Sequence, residues 1–415
     1  MGKSVVVVEE RESFGGHTST YIVPGTNAPI NFGVQVYAGD EPSIRRFFGY
    51  YNIPLIQVQP SSAPQSNTRH VDFKTGTEAV NFTVNPDLSA FSVEAHKYAD
   101  LSFQTRAPSP LPADLLLPFR DFVTKYNLQS SVYKLFFQGE GLGDLLSQPT
   151  YYVFKNFSPD LLDSFLPTSP GVFIVPTGSN QEIYQRAQAD FGDDAIVDSR
   201  ILVASQRSDS GVTVTIKTPT GLQTIQASKL LISAPPTLEN MAPLLLDSHE
   251  IPLFSSFKSQ GYFVGLVNVT GFAPGDEFYN MAPGATYALP QLPALYQISP
   301  TAVAGIYQVN YGSQEDYYPE MLVKADIVAT VERVRRSVLG AAVARGLPPV
   351  KLLAFSSHAP FSLRVSAGEI SSGFYTKLDG LQGYRSTWYT GAAFSGHHAS
   401  HVWKFTEDIV NRMFA

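Results

Sequence analysis

The first ordered feature of the chain is Val5–Val8, four apolar residues in a row closed by Glu9 and Glu10 and then by Gly15-Gly16. An unbroken apolar run ending in acid and glycine has the pattern of a parallel strand covered on both faces. Shorter strands are expected around Tyr21–Val23 and Ile30–Val36, joined across Pro24-Gly25. From Pro42 to about Pro170 the pattern dissolves into proline-broken, aromatic-rich segments. Within it, Leu115, Phe119, Phe122, Val123 and Tyr126 stand at helical spacing over Leu115–Phe137. Regular patterning resumes near Gly178. Ser179 and Glu182 have the spacing of a capping box, Ile183, Ala187 and Phe191 share a helix face, and Gly192 closes the helix. Three strands are expected next: Ala195–Ser205, the alternation Val212, Val214, Ile216, and Leu222–Ala227. A fourth, Lys229–Ala234, is stopped by Pro235-Pro236.

A second irregular stretch carries the expected strand Tyr262–Val269 and a long helix from Glu320, with Val323, Ile327, Val331, Val334 and Val338 on one face. The closing TWYTGAAFSGHHASHVWKFTEDIVNRMFA reads as strand, glycine turn and helix, the helix burying Val402, Phe405, Ile409 and Met413. Strand-helix pieces interrupted twice imply an α/β fold, a Rossmann-like domain interleaved with an α+β domain. The expected boundaries are 1–41, 172–247 and 377–415 for the first domain, and 42–171 and 248–376 for the second. No internal repeat is visible.

Composition sharpens this picture. In 415 residues, 44% hydrophobic and only 16% charged, 28 Phe and 21 Tyr supply a large core. A net charge of −7 without any basic block excludes phosphate backbones as a partner. The absence of cysteine removes disulfides, thiolate nucleophiles and cysteine-based metal sites. No apolar run reaches membrane-span length, and MGKSVV lacks a signal-peptide core, so the chain reads as soluble. There is no GxSxG to support a hydrolase elbow. His397, His398 and His401 stand close enough to suggest a metal. Without HExxH or a neighbouring carboxylate they read instead as a surface or cofactor-side cluster, with no metal expected.

VVVVEERESFGGH resembles the segment after the first strand-helix unit in flavoproteins of the amine oxidase superfamily. A carboxylate at the end of a parallel strand, here Glu9, accepts the ribose hydroxyls of adenosine. Arg11 and His17 then lie beside the pyrophosphate, and Gly15 and Gly16 let backbone approach it. The C-terminal stretch resembles the last motif of the same superfamily. Gly391 permits close approach to the flavin, Ala392 and Ala393 keep it uncrowded, and N–H groups near Ala399 and Ser400 face the ring's electron-rich side. INFGVQVY, GFYTKLDGLQG and TWYTGAAFSGHHASHVWKFTEDI are similar to the fungal group of FAD oxidoreductases that includes beta-cyclopiazonate dehydrogenase. That resemblance spans the whole chain. It implies that Gly33, Val34 and Gln35 line the flavin, that Ile201 holds the adenine side through its backbone, and that Ala234 sits near the ribityl chain.

The resemblance implies an FAD-dependent oxidoreductase, taking a hydride from a C–H next to nitrogen, or from an activated ring carbon, of a small aromatic metabolite. Tyr384 and Trp388 are candidate walls for that substrate, with ordinary core packing as the alternative; Lys258 is a candidate to hold a water, although no motif surrounds it. The family also begins with a strand, a GxGxxG turn and a helix, placing about 20 residues between its first glycine and the acid. Here eight residues precede Glu9. GEGLGD at Gly139–Asp144 does not replace the turn, since its third glycine comes early and its acids repel phosphate, so a loop of the second domain is expected. Gly2-Lys3-Ser4 lacks the rest of a P-loop. The expectation is a chain starting inside its cofactor domain. Weak FAD retention follows, with a non-catalytic remnant or gene-model fragment as the alternative and a flavin-bearing form about 30 residues longer.

Overall fold

The computed structural model describes residues 2–38, 42–59, 66–85, 87–139, 142–164 and 171–415. Two parallel pairs link strands distant in sequence: Val7–Val8 with Ala195–Ile196, and Leu230–Ile232 with Thr387–Tyr389. Main-chain bonds extend the first pair, from Glu9 N–H to Ile196 O and from Ser199 N–H to Glu9 O, each 2.9 Å. The apolar run overstates this strand. Val5 is 50% exposed and Val6 38%, because among the described residues the strand is paired on one side only.

Backbone breaks account for the other differences from the expected elements. Asp198, at φ 49°, divides Ala195–Ser205 in two. The part before it joins the parallel pair, and Arg200–Ser208 opens an antiparallel meander with Gly211–Thr218 and Gly221–Ala227. Ile30–Val36 contracts to Pro29–Asn31, paired antiparallel with Thr20–Ile22. The stretch Leu115–Phe137 is not one helix. Pro118, which has no N–H to give, opens Phe119–Lys125, and Asn127 at φ 56° separates it from Val132–Gln138. No capping box forms at Ser179. The helix Glu182–Phe191 begins directly at Glu182, whose carboxylate bonds the Thr177 hydroxyl and the Arg186 guanidinium.

The large sheet runs in the order Lys351–Ser357, Lys258–Asn268, Ile306–Ser313, Ala294–Pro300, Asp276–Asn280, Asn67–Asp72 and Thr77–Glu78, with Phe361–Arg364 also pairing Lys258–Asn268. Its longest strand shows the period of two that buries both faces. Tyr262, Val264 and Leu266 pack into the larger core with the short helices, whereas Phe263 and Val267 meet Val323, Ile327, Val331 and Val334 of the helix Glu320–Leu339. Gly143 lies against this sheet, where a Cβ would stand 2.1 Å from Gln260 Oε1; Glu140 and Gly141 of GEGLGD lie outside the described residues. The helix Pro42–Tyr50 crosses to the C-terminal helix Ala399–Phe414, pairing Arg46 with Glu407 and setting Phe48 6.0 Å from Trp403. That C-terminal helix buries Phe405, Ile409 and Met413, while His401 turns inward and Val402 is half-buried.

A buried ion pair ties the meander to the second parallel pair. Arg207 and Glu250 side chains are fully buried against each other. Arg207 also donates to Thr387 Oγ1 at 3.0 Å and Leu244 O at 2.9 Å, and Tyr389 donates its hydroxyl to Glu250 at 3.1 Å. Removing one partner leaves the other charge without its counter-ion in a low-dielectric interior. Glu250→Ala is therefore expected to cost about 3–5 kcal/mol, read as a lower urea midpoint.

Candidate active site

The acid-glycine segment is held by its own backbone. Glu9 Oε1 accepts the Arg11 N–H at 2.9 Å, and the exposed Arg11 guanidinium donates to Gly16 O at 2.8 Å. Gly15 and Gly16 have φ of 132° and 56°; a Cβ on Gly15 would stand 3.0 Å from the Gln181 side chain, while Gly16 faces open space. Gly33 is closer still to its neighbours. A Cβ there would lie 1.9 Å from His17 O, so only glycine lets the two segments touch. Val34 and Gln35 offer their carbonyls to the buried Asn180 amide at 2.7 and 3.0 Å, and Gln35 reaches Gln308 in the large sheet at 2.6 Å.

His17 enters a cluster of rings from three separate stretches of the chain. It stacks on His358 at 4.5 Å and 4°, Phe361 lies 5.6 Å away, and His397 lies 5.0 Å from Phe361. Burial, reinforced by the Arg11 charge, pushes His17 down to about 4. Burial and the neighbouring cations likewise push His358 well down and His397 to about 3. These imidazoles are neutral at pH 7.

The C-terminal motif sits at the ends of the second parallel pair. Thr390 N–H donates to Ile232 O at 2.9 Å, which brings Ser233 and Ala234 alongside Gly391; a Cβ on Gly391 would lie 3.3 Å from Ser233 O. Ala392 and Ala393 border a cavity of about 10 Å³ with Tyr152, Lys155, Tyr375 and His397. The helix Ala399–Phe414 begins without a side-chain cap, so its first N–H groups have no intrahelical acceptor. Ser400, 1% exposed, has a hydroxyl there without a hydrogen-bond partner among the described residues. Ile201 lies apart, on the outer strand of the meander.

The three C-terminal histidines point to different partners. His398 Nε2 stands 3.2 Å from Asn156 O, and the fully buried His401 Nε2 stands 3.0 Å from Asp160 and 3.2 Å from Ser158. Tyr384 and Trp388 share no wall. The Tyr384 hydroxyl donates to Asp247 at 2.8 Å beside a separate groove of about 380 Å³. Trp388 packs toward Gly383 and Lys229, because strand alternation turns its neighbour Tyr389 inward to Phe394, 6.0 Å away. Lys258 is exposed at its strand's start. Tyr152, Lys155, Asp160 and His358 have no local motif that could have singled them out, whereas Tyr375 lies within GFYTKLDGLQG without having been assigned a role.

Comparison with known proteins shows the family. Residues 1–237 fit the family model of flavin containing amine oxidoreductases, so more than half of the chain carries that signature. The chain belongs to this family and is an FAD-dependent oxidoreductase. It is 37% identical over 412 residues to the FAD-dependent oxidoreductase pigF of Monascus ruber, covering 99% of this chain and 86% of that protein. Beta-cyclopiazonate dehydrogenase of Aspergillus oryzae is 29% identical over 423 residues, covering 99% and 88%. Among solved structures, a fatty acid isomerase from P. acnes that produces CLA superposes with a TM-score of 0.74 at 17% identity, covering 99% of this chain and 92% of that one. Putrescine oxidase bound to putrescine gives 0.62 at 11% identity, covering 100% and 94%.

One contact here generates a pH prediction. Burial pushes the Asp160 carboxyl up, but the hydrogen bond and charge of His401 outweigh it and hold the group at about 2. A carboxyl depressed on folding contributes stability that is present above its ordinary value and lost as pH falls through the lowered one. Asp160→Asn is expected to be less stable than wild type by about 2 kcal/mol at pH 7. The urea midpoints of the two proteins should converge as pH falls from about 4 to 2.

Proposed function

We propose that FAD is held across the two domains and accepts a hydride from a C–H next to nitrogen, or from an activated ring carbon, of a small aromatic metabolite. The observation carrying this reading is the ring cluster of His17, His358, Phe361 and His397, which brings the start of the chain against two segments near its end. The donor set fits the cofactor. Glycine with no room for a Cβ stands at Gly33, small residues at Ala392 and Ala393, and an orphaned buried hydroxyl at Ser400 on a helix N-terminus.

In this reading Glu9 accepts the ribose hydroxyls, Gly15 and Gly16 leave room for the pyrophosphate, and Arg11 offers it charge. Ile201 and Ala234 border the adenosine and ribityl portions, and Gly33, Val34, Gln35 and Gly391–Ala393 line the ring. When bound, FAD supplies the two-electron acceptor. The first N–H groups of the helix Ala399–Phe414 favour negative charge on the ring side they face. The aromatic wall orients the substrate and excludes water. Segments 1–41, 172–247 and 377–415 form the cofactor domain, and 42–171 and 248–376 the substrate domain, with the helix Pro42–Tyr50 bridging to the C-terminal helix.

Two measurements test this reading. Glu9→Ala is expected to weaken FAD binding by about 1–3 kcal/mol in a flavin-fluorescence titration, since hydroxyls would lose a charged acceptor. Anaerobic bleaching of the flavin by amine or tryptophan-derived metabolites is expected. Bleaching by simple sugars or alcohols alone would count against the substrate assignment.

A further inference from the structure

Lys155 stands in the last turn of the helix Thr150–Asn156 and is 4% exposed. Its ammonium has no hydrogen-bond partner among the described residues. It lies over the faces of Tyr375 at 5.0 Å and Tyr151 at 5.8 Å, and borders the cavity of about 10 Å³ against Ala392, Ala393 and His397. That volume is room for about one water-sized group. Tyr152 borders the same cavity. Its hydroxyl oxygen accepts the Val365 N–H at 2.7 Å and the Tyr375 O–H at 2.8 Å. A hydroxyl has two acceptor sites and one proton to donate, so with both acceptor sites engaged the Tyr152 proton remains for a further partner.

Among the described residues, no carboxylate borders this cavity. The Ser395 hydroxyl is directed to the Gly391 and Gly396 carbonyls. The burial of an ammonium beside two aromatic faces stabilises it only in part, because a desolvated charge without a hydrogen-bonded counter-charge is strongly disfavoured. A lysine that served packing alone would be placed with an acid or would reach solvent. This one does neither, and a second donor stands beside it.

We propose that Lys155 and Tyr152 are a donor pair for an anionic oxygen of the substrate, a carboxylate or an enolate, held against the Ala392-Ala393 turn. The proposal rests on the assignment of that turn to the reaction pocket. The cavity accepts the oxygen-bearing end of the molecule, so the substrate is an acid or an acidic carbonyl compound as well as an aromatic one. Charge decides its pH dependence. Burial lowers Lys155 to about 7, so the ammonium that attracts an anion is present below that pH and is lost above it. Anion affinity should fall by up to tenfold per pH unit beyond it.

The test uses the holoenzyme, with bound flavin quantified first, and three probes: benzoate, the enolate of dimedone, and neutral benzamide. Binding is read both by perturbation of the flavin absorbance and by thermal shift. Benzoate or dimedone is expected to bind at least tenfold more tightly than benzamide at pH 6, to weaken at pH 8.5, and to lose at least tenfold in Lys155→Met. Preference for benzoate identifies a carboxylate site and preference for dimedone an enolate site. If neither anion outcompetes benzamide, or if Lys155→Met binds them as wild type does, the proposal is wrong. Should that variant fail to fold, the anion preference and its pH dependence in the wild-type protein decide. A chain without flavin would defeat the functional reading, while the thermal shift would still report on the donor pair.

Discussion

The site depends on how the turn Gly391–His401 is docked onto residues 155–160. The helix that follows the turn has no side-chain cap, so its own sequence does not fix where it begins. Its position is set from outside. Gly396 N–H donates to Ser102 O at 2.7 Å, and Ser102 Oγ donates to Lys155 O at 2.8 Å. His398 meets Asn156 O, and His401 meets Asp160 and Ser158. Gly396 has no alternative, since a Cβ would stand 2.6 Å from His401 Nδ1 and 2.9 Å from Lys155 O. Most of these groups are buried, where a hydrogen bond is strong and a lost partner is not replaced by water.

The docking also determines the electrostatics. Closing the turn over residues 155–160 buries the imidazoles of His397 and His398, which burial and neighbouring positive charge hold at about 3 and about 4. With His17 and His358 also neutral, the ring cluster contributes bulk and polarisability but no charge. The cations bordering this region are then few. Among the described residues Lys155 has no hydrogen-bonded counter-ion, and Arg364 donates to the Gln260 amide at 2.6 Å. In a low-dielectric pocket a few charges act strongly on whatever enters, whereas a set of protonated histidines would have made the same space generally attractive to anions.

The legible parts of the sequence were those governed by local pattern. The acid-glycine segment, the meander, the helix from Glu320 and the closing strand-turn-helix all follow from periodicity and punctuation, and the family was readable from their order. What failed did so for identifiable reasons. Leu115–Phe137 has helical spacing, but Pro118 and Asn127 interrupt it, so the apolar face survives while the helix does not. Trp388 was one residue from the inward position, and a period of two places such a residue on the opposite face. Ser179 has the spacing of a cap, but a cap forms only if the chain is already turned there. Lys155, Asp160 and His358 become neighbours of the C-terminal turn only through the fold, so no spacing in the chain could reveal them.

The fold alone leaves the reaction open. A fatty acid isomerase and a putrescine oxidase share this backbone arrangement at 17% and 11% identity, so chemistry must rest with particular side chains. In this chain the two contributions are separable. The candidate cofactor residues are glycines and an acid at strand ends, where backbone geometry restricts the choice. The donor pair Tyr152 and Lys155 stands on the helix Thr150–Asn156, and the docking there uses the main chain: Lys155 engages Ser102 through its carbonyl, not its ammonium. The side chain at position 155 can therefore change without undoing that bond, whereas Gly396 opposite it cannot. A pocket arranged in this way can alter its substrate while leaving the turn that faces it in place.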